Sequence, residues 1–334
     1  MTEPRAVGVH LAYDAVPEPV RAWVEGVLGS PVVRAVDQEG GMSPGCVSRL
    51  VCADGTRAFL KAVGAELNPD TPALYRRERE VLGMLGSHPL WAGLVDAHEA
   101  DGWVALLLED VEGTHPDLRD DAVMARLLEA TDELGAVMRE RVPDPPVPQA
   151  GTGPGLFRPG LVDLSVTFTT WAEALDHVAD VPRDLLPAWV VEAADDVRAG
   201  LLALAARPGR HLVHNDLRND NLLVRPSGEV VFVDWGACGV GPAWLDPLLA
   251  RAERVDEPWF DASLASSPPL AALGDAGVTA WLAGLGAYLA HRAHTATDVG
   301  LPTLREFRRR ESRRLLDAAA RRLDLDLGGR ITRR

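Results

Sequence analysis

Apolar residues recur along this chain with two different periods. Residues 17–28 (PEPVRAWVEGVL) place Val20, Trp23, Val24, Val27 and Leu28 at helical spacing behind a proline-containing start, which predicts a short amphipathic helix. After Gly29, Ser30 and Pro31 the pattern changes to β-type runs at 32–36, 46–52 and 57–63, divided by a glycine-rich stretch at 38–45 and a turn at 53–55. A helix is predicted from residue 69 to 85, with Pro69 and Pro72 near its start and Gly86 past its end. Strands follow at 94–98 and 103–109 around a turn at 100–102. Beyond residue 113 the period is mostly helical, at 117–142, 164–179, 187–206, 278–294 and 301–323, and Pro and Gly make 143–162 a loop or insert. At 211–236 two short apolar runs, 222–224 and 230–233, flank an RPSGE turn and read as a hairpin, and a new helix is expected to begin after Gly236. Strands first and helices afterwards predict an α+β chain: an antiparallel sheet with a helix over residues 1–110, then a mainly helical part over 111–334.

Composition narrows the function classes. At 334 residues, 47% hydrophobic and 25% charged, the chain has the make-up of an ordinary globular protein long enough for two lobes. The start MTEPRAVGVH has neither a basic region nor an apolar core, so no signal peptide is expected and a cytoplasmic location follows. The most apolar helical stretch, 278–289, is interrupted by Gly284 and Gly286 and reads as too short to cross a bilayer. Cys46, Cys52 and Cys238 form no close pair, so neither a zinc site nor a disulfide framework is expected. The net charge of −15 argues against a nucleic-acid binder and is compatible with a cationic ligand. Eleven arginines lie between Arg305 and the end, with Glu306, Glu311 and Asp317 at pairing distance, which predicts a salt-bridged helix face. Lys61 is the sole lysine among 34 basic residues. A lysine is a compact point charge where arginine is a broad fork, so a crowded anion site can require it.

The chemistry concentrates at 211–236, HLVHNDLRNDNLLVRPSGEVVFVDWG. Asn221 stands five residues after Asp216, and Asp234 thirteen residues after that. The hairpin folds Asp234 back beside Asn221, giving two oxygen donors for a hard cation such as Mg²⁺. Asp216, ahead of both, is free to receive the proton of an attacking hydroxyl.

These residues carry a resemblance. His214-Asn-Asp216-Leu-Arg218-Asn-Asp-Asn221 followed by Asp234-Trp-Gly236 resembles the catalytic loop and metal-binding triplet of the protein-kinase-like fold, and is most similar to the aminoglycoside phosphotransferase and choline kinase branch, which phosphorylates small molecules. The resemblance implies a bilobal fold that binds ATP or GTP and Mg²⁺. It implies Asn221 and Asp234 as metal ligands, Asp216 at the acceptor hydroxyl, Arg218 near the γ-phosphate and His214 as a scaffold for the loop. Asp246 matches an acid that supports the loop by accepting backbone N–H bonds, while Asp220 receives no role. Glu39-Gly-Gly-Met-Ser-Pro resembles the phosphate loop of aminoglycoside 3'-phosphotransferases, so Gly41, Met42 and Ser43 would meet the β-phosphate. The segment FLKAV places Lys61 at the α- and β-phosphates, paired with Glu78 in preference to Glu80. Residues 109–113 resemble the interlobe hinge, with a Glu109 C=O and a Val111 N–H for the adenine.

No Ala-Pro-Glu follows the triplet, and the ten residues from Gly236 to Asp246 leave no room for an activation segment, which disfavours a protein kinase. Lys61, Asp216, Asn221 and Asp234 together argue against a nucleotide-binding pseudoenzyme. The acceptor stays open among aminoglycosides, other antibiotics, choline, homoserine and sugars, with acidic charge and the Met-Ser-Pro loop leaning toward a cationic one. Phe157, Phe168 and Trp171 read as core ahead of pocket lining.

Overall fold

Alternation along the strands and a stripe on each helix build the N-terminal part. The structure, a computed structural model, describes residues 8–38, 44–146, 160–207, 209–297 and 301–323. Helix α1 (Glu18–Leu28) ends on Gly29, whose left-handed φ of 69° stops the helix at little steric cost. Strands β1 (Val32–Asp37), β2 (Cys46–Cys52), β3 (Arg57–Gly64), β4 (Leu94–Ala100) and β5 (Trp103–Leu108), with helix α2 (Thr71–Leu85) between β3 and β4, form one antiparallel sheet in the order β1-β2-β3-β5-β4. Trp103, Ala105 and Leu107 of β5 join Leu60 and Ala62 of β3 in a cluster with Val20 and Val24 of α1. Their neighbours Val104, Leu106 and Leu108 turn to the other face, with Val63 and the Tyr75, Leu82 and Leu85 stripe of α2. By the same alternation Lys61 faces α2.

The rest is mainly helical. Helix α3 (Asp121–Arg141) is capped by Asp120, whose carboxylate accepts from the Ala122 and Val123 backbone. Then come β6 (Val162–Asp163), α4 (Ser165–Ala174), α5 (Ala188–Glu192), α6 (Ala194–Ala205), β7 (His211–Val213), the hairpin β8 (Leu222–Val224) and β9 (Val230–Phe232), β10 (Gly239–Gly241), and helices α7 (Leu245–Ala252), α8 (Pro258–Leu264), α9 (Pro268–Thr295) and α10 (Leu304–Arg322). The architecture is α+β and bilobal, as the order of elements predicts.

Four local expectations need correction. The helix at 187–206 divides at Ala193, where Asp195 and Asp196 favour a fresh helix start. The stretch after Gly236 begins with β10, which pairs parallel to β6 and antiparallel to β7, and both short strands escape periodicity because three residues or fewer carry no period. The short α8 was likewise not expected. Finally, α9 runs 28 residues, long and apolar enough by composition to cross a membrane, although it kinks at Gly274 and half of its apolar window is buried. Gly284 and Gly286 do not interrupt it. They let neighbours approach: a Cβ on Gly284 would stand 2.5 Å from Leu201 of α6, and one on Gly286 2.7 Å from Leu316 of α10.

The two parts meet through the hairpin. The Phe232 N–H of β9 donates to Leu90 O of the first part at 2.7 Å, and Thr114, just past the hinge, exchanges backbone hydrogen bonds of 3.1 and 2.8 Å with Val224 of β8. Val111, Ala92, Leu223 and Val231 close a small apolar cluster between them.

Candidate active site

Three charged side chains from three elements converge below the sheet. Lys61 Nζ on β3 lies 2.5 Å from Glu78 Oε2 on α2 and 2.9 Å from Asp234 Oδ1, which follows β9. Glu78 is the partner of Lys61, and Glu80 instead lies toward Gly160. The helix period contains this answer: Tyr75, Glu78, Leu82 and Leu85 fall on one stripe at spacings of three, four and three, and Glu80 does not. Burial opposes the charge on Lys61, but Asp234 and Glu78 outweigh it and keep the amine protonated. The two acids respond differently. Glu78, 1% exposed, is pushed up by burial despite the lysine. Asp234, with 36% of its side chain exposed, is held down, because Lys61 outweighs its burial. Asp234 has a left-handed φ of 65°, uncommon for a residue with a side chain and of the kind that clusters at functional sites.

The loop after β7 supplies the second group. Asp246, buried at the start of α7, accepts from the His214 N–H at 2.8 Å and the Asn215 N–H at 2.9 Å, which holds the turn where Asn215 takes a φ of 64°. His214 is fully buried, and burial lowers its pKa against the pull of Asp246. Its ring packs on Trp235 at 4.6 Å, and its Nε2 lies 3.1 Å from Val233 O. This is the geometry of a scaffold. Asn221 donates from Nδ2 to Asp216 Oδ2 at 2.7 Å and to Asp216 O at 3.0 Å. Arg218 Nε lies 3.1 Å from Asp216 Oδ1 and 3.3 Å from Asp220 Oδ1. Burial together with the Asp220 and Asp234 charges pushes the Asp216 carboxyl up to about 6, against the pull of Arg218 and Asn221. A carboxylate so placed is a competent proton acceptor near neutral pH.

Sequence reading left three residues without a role that the packing supplies. Asp220 pairs with Arg218. Phe307, from α10, lies with its ring 5.6 Å from the Arg218 guanidinium. Arg77, fully buried beside Glu78, donates from Nε to Gly160 O and from Nη1 to Gly236 O, both at 2.7 Å, and so ties α2 to the chain just past Asp234. An arginine inside an otherwise apolar helix stripe was the one available signal for it.

At the hinge, the Glu109 N–H donates to Gly93 O at 2.8 Å and Val111 is buried against the hairpin. Asp110 between them, 1% exposed, is held by Arg49 at 3.0 Å and Arg57 at 2.7 Å, which fixes the hinge to β2 and β3. Gly41, Met42 and Ser43 lie outside the described residues, as do Phe157 and most of 143–162. Phe168 and Trp171 are core, 2% and 7% exposed. After the Asp234 triplet only a single 3-10 turn and β10 precede α7, so no activation segment is present.

The phosphotransferase enzyme family model matches residues 49–265, more than half of the chain and all of both charged groups. No curated protein matches the sequence. Among solved structures, a thermostable mutant of the aminoglycoside phosphotransferase APH(4)-Ia in a ternary complex with ADP and hygromycin B is similar over 91% of this chain and 98% of its own, at 17% identity and a TM-score of 0.55. The choline kinase LicA from Streptococcus pneumoniae matches over 91% and 98%, at 14% identity and a TM-score of 0.55. An aminoglycoside phosphotransferase from Alicyclobacillus acidocaldarius matches over 87% and 91%, at 13% identity and a TM-score of 0.51. At these identities the likeness is one of fold.

Proposed function

The chain belongs to the phosphotransferase enzyme family, and from that premise we propose that it transfers the γ-phosphate of ATP or GTP to a hydroxyl of a small molecule. The observation that carries this reading is that Lys61 and Glu78 of the first lobe meet Asp234 of the second, and that the Val233 N–H next to Asp234 donates to Asn221 O at 3.0 Å, which sets the loop of Asp216, Arg218 and Asn221 beside the cluster. Phosphoryl transfer requires mainly positioning and charge neutralisation, and each residue has a part in that. Lys61, steered by Glu78, meets the α- and β-phosphates. Glu109 C=O and Val111 N–H read the adenine, and Gly41, Met42 and Ser43 cover the β-phosphate. Asp216 orients the acceptor hydroxyl and takes its proton as the oxygen attacks the γ-phosphorus and the bond to the β-phosphate oxygen breaks. Arg218 faces the charge that spreads over the transferring group.

The donor set fits Mg²⁺. Asn221 commits its amide nitrogen to Asp216, so its carbonyl oxygen is the atom that would ligate the cation, together with the Asp234 carboxylate, which is held in its ionised form. Among the described residues no group of three or more His, Cys, Asp or Glu forms a cage, which suits a cation that takes one or two protein oxygens and completes its shell with phosphates and water. When bound, Mg²⁺ neutralises phosphate charge.

ADP in the hygromycin B complex of one neighbour, and AMP with another structure of LicA, support a nucleotide co-substrate. The acceptor is an antibiotic such as an aminoglycoside or a metabolite such as choline, homoserine or a sugar, and the net charge of −15 favours a cationic one. The test is nucleotide turnover with Mg²⁺·ATP and Mg²⁺·GTP across a panel holding hygromycin B, choline, homoserine and sugars. Acceptor-dependent formation of the diphosphate is expected, and Asp216→Ala is expected to lower it about 10³-fold with nucleotide affinity nearly intact. An Asp216→Ala protein that turns over normally would overturn the assignment.

A further inference from the structure

We infer that Phe307, on the last helix, is a positioning residue that clamps the Arg218 guanidinium in the transfer site; the inference rests on the role proposed above for Arg218. The Phe307 ring centroid lies 5.6 Å from the Arg218 guanidinium carbon, within cation–π range, while the Nε edge of Arg218 faces Asp216 and Asp220 at 3.1 and 3.3 Å. Arg218 is therefore held by two kinds of contact, carboxylates at its edge and a ring at its guanidinium. The ring offers no charged acceptor of its own, so it holds the guanidinium while leaving the N–H groups of Arg218 to the carboxylates and to an anionic ligand. A second guanidinium, Arg310, lies 5.9 Å from the same ring and is engaged by Glu311 at 3.4 Å, so the clamp belongs to a charged surface rather than to the core.

The position of α10 does not depend on Phe307. Ser312 Oγ donates to Gly286 O at 2.8 Å, Arg314 donates to Glu253 O at 2.8 Å, Arg321 donates to Val255 O at 2.6 Å, and Leu315 and Leu316 are buried in the helical core. Phe307 itself is only half-buried, so replacing it leaves the helix docked. The C-terminal helix thus contributes to the chemistry through one ring, some 90 residues away in sequence from the arginine it holds.

The test compares Phe307→Leu, which keeps apolar bulk and removes the π face, with Phe307→Trp, which keeps the face. The first readout is the side-chain Nε–Hε NMR resonance of Arg218, identified by its loss in Arg218→Lys. It is expected to persist in Phe307→Trp and to broaden away by solvent exchange in Phe307→Leu, with thermal midpoints close to wild type. A resonance unchanged in Phe307→Leu overturns the clamp. The second readout is turnover of Mg²⁺·ATP with water, hygromycin B or choline as acceptor, where Phe307→Leu should lower kcat about three- to tenfold at unchanged nucleotide KM and Phe307→Trp should restore it. Removing Arg218 first, as Arg218→Ala, should make Phe307→Leu silent. If Arg218→Ala itself turns over normally while the resonance is lost in Phe307→Leu, the role of Arg218 fails and the clamp has no catalytic weight. If Arg218→Ala is impaired and Phe307→Leu adds a further equal loss, the clamp fails and the role of Arg218 stands.

Discussion

Lys61 and Arg309 each hold two acids, and the surroundings give the two arrangements opposite meanings. Lys61, with 7% of its side chain exposed, sits between Glu78 at 1% and Asp234 at 36%. Arg309, 43% exposed, reaches Asp184 at 3.5 Å and Glu306 at 3.9 Å, which are 70% and 77% exposed. Water screens the second group, so each of its two pairs is worth little, and α10 is held by its several other ties and by its apolar stripe. The first group is buried on two sides and its charges depend on one another: without the amine, Glu78 and Asp234 would face each other unneutralised. A buried cluster of that cost makes sense where a ligand's own charges complete it, whereas the α10 network needs no ligand at all.

Breaking the buried cluster at its centre is expected to have the largest effect. Lys61→Met keeps volume and removes the charge. Turnover should fall about 100- to 1,000-fold, as for other lost transition-state contacts, and stability near neutral pH by about 3–5 kcal/mol. The stability loss should shrink on acidification. Glu78 is already raised above its ordinary value, and the variant removes the charge that pulls it down. A group raised in the folded state stabilises below its unfolded pKa and loses that contribution as pH rises through the folded value, so the variant should regain stability as the pH falls toward the ordinary glutamate range. Denaturant titrations at several pH values check this, and a pH-independent deficit would count against it.

Asp234→Ala comes next. It should remove the Mg²⁺ dependence of nucleotide affinity in a calorimetric titration, and equal affinity with and without Mg²⁺ in both proteins would contradict the ligand assignment. A sharper comparison lies within α2. Glu78→Gln should lower turnover about tenfold or more, since a charged hydrogen bond is worth about 1.5–3 kcal/mol, while Glu80→Gln should leave it within twofold. Equal effects would mean that the helix register is misread.

The smallest effect belongs to the exposed network. Burial raises Asp256, but hydrogen bonds from Arg119 and Arg314 outweigh it and bring the carboxyl down to about 2. A carboxyl lowered in the folded state stabilises above its unfolded pKa and loses that contribution as pH falls. Asp256→Asn should therefore cost at most about 1 kcal/mol at neutral pH, a gap that closes between about pH 4 and pH 2. A gap that persists at pH 2 would show that packing, not charge, is responsible.

The sequence by itself determined which segments become strands and helices through the N-terminal part, because alternation at period two and stripes at period 3.6 are properties of neighbouring residues. It also determined the spacing of Asp216, Asn221 and Asp234, since a two-strand hairpin with an RPSGE turn leaves few ways to connect them. Tertiary structure decided what depends on elements distant in the chain. Arg77 stands out in sequence only as an arginine in an apolar helix stripe, and its partners, the carbonyls of Gly160 and Gly236, come from distant elements. Residues as few as those of β6 and β10 become strands only because β10 lies between β6 and β7 and pairs with both. Gly284 and Gly286 look like breaks and are close-packing points, a difference set by Leu201 and Leu316 on other helices. Asp220 gains Arg218 as a partner and Phe307 a place beside the same guanidinium in the same way. Local periods fix what an element is; only the packing of its faces against others fixes what each side chain meets.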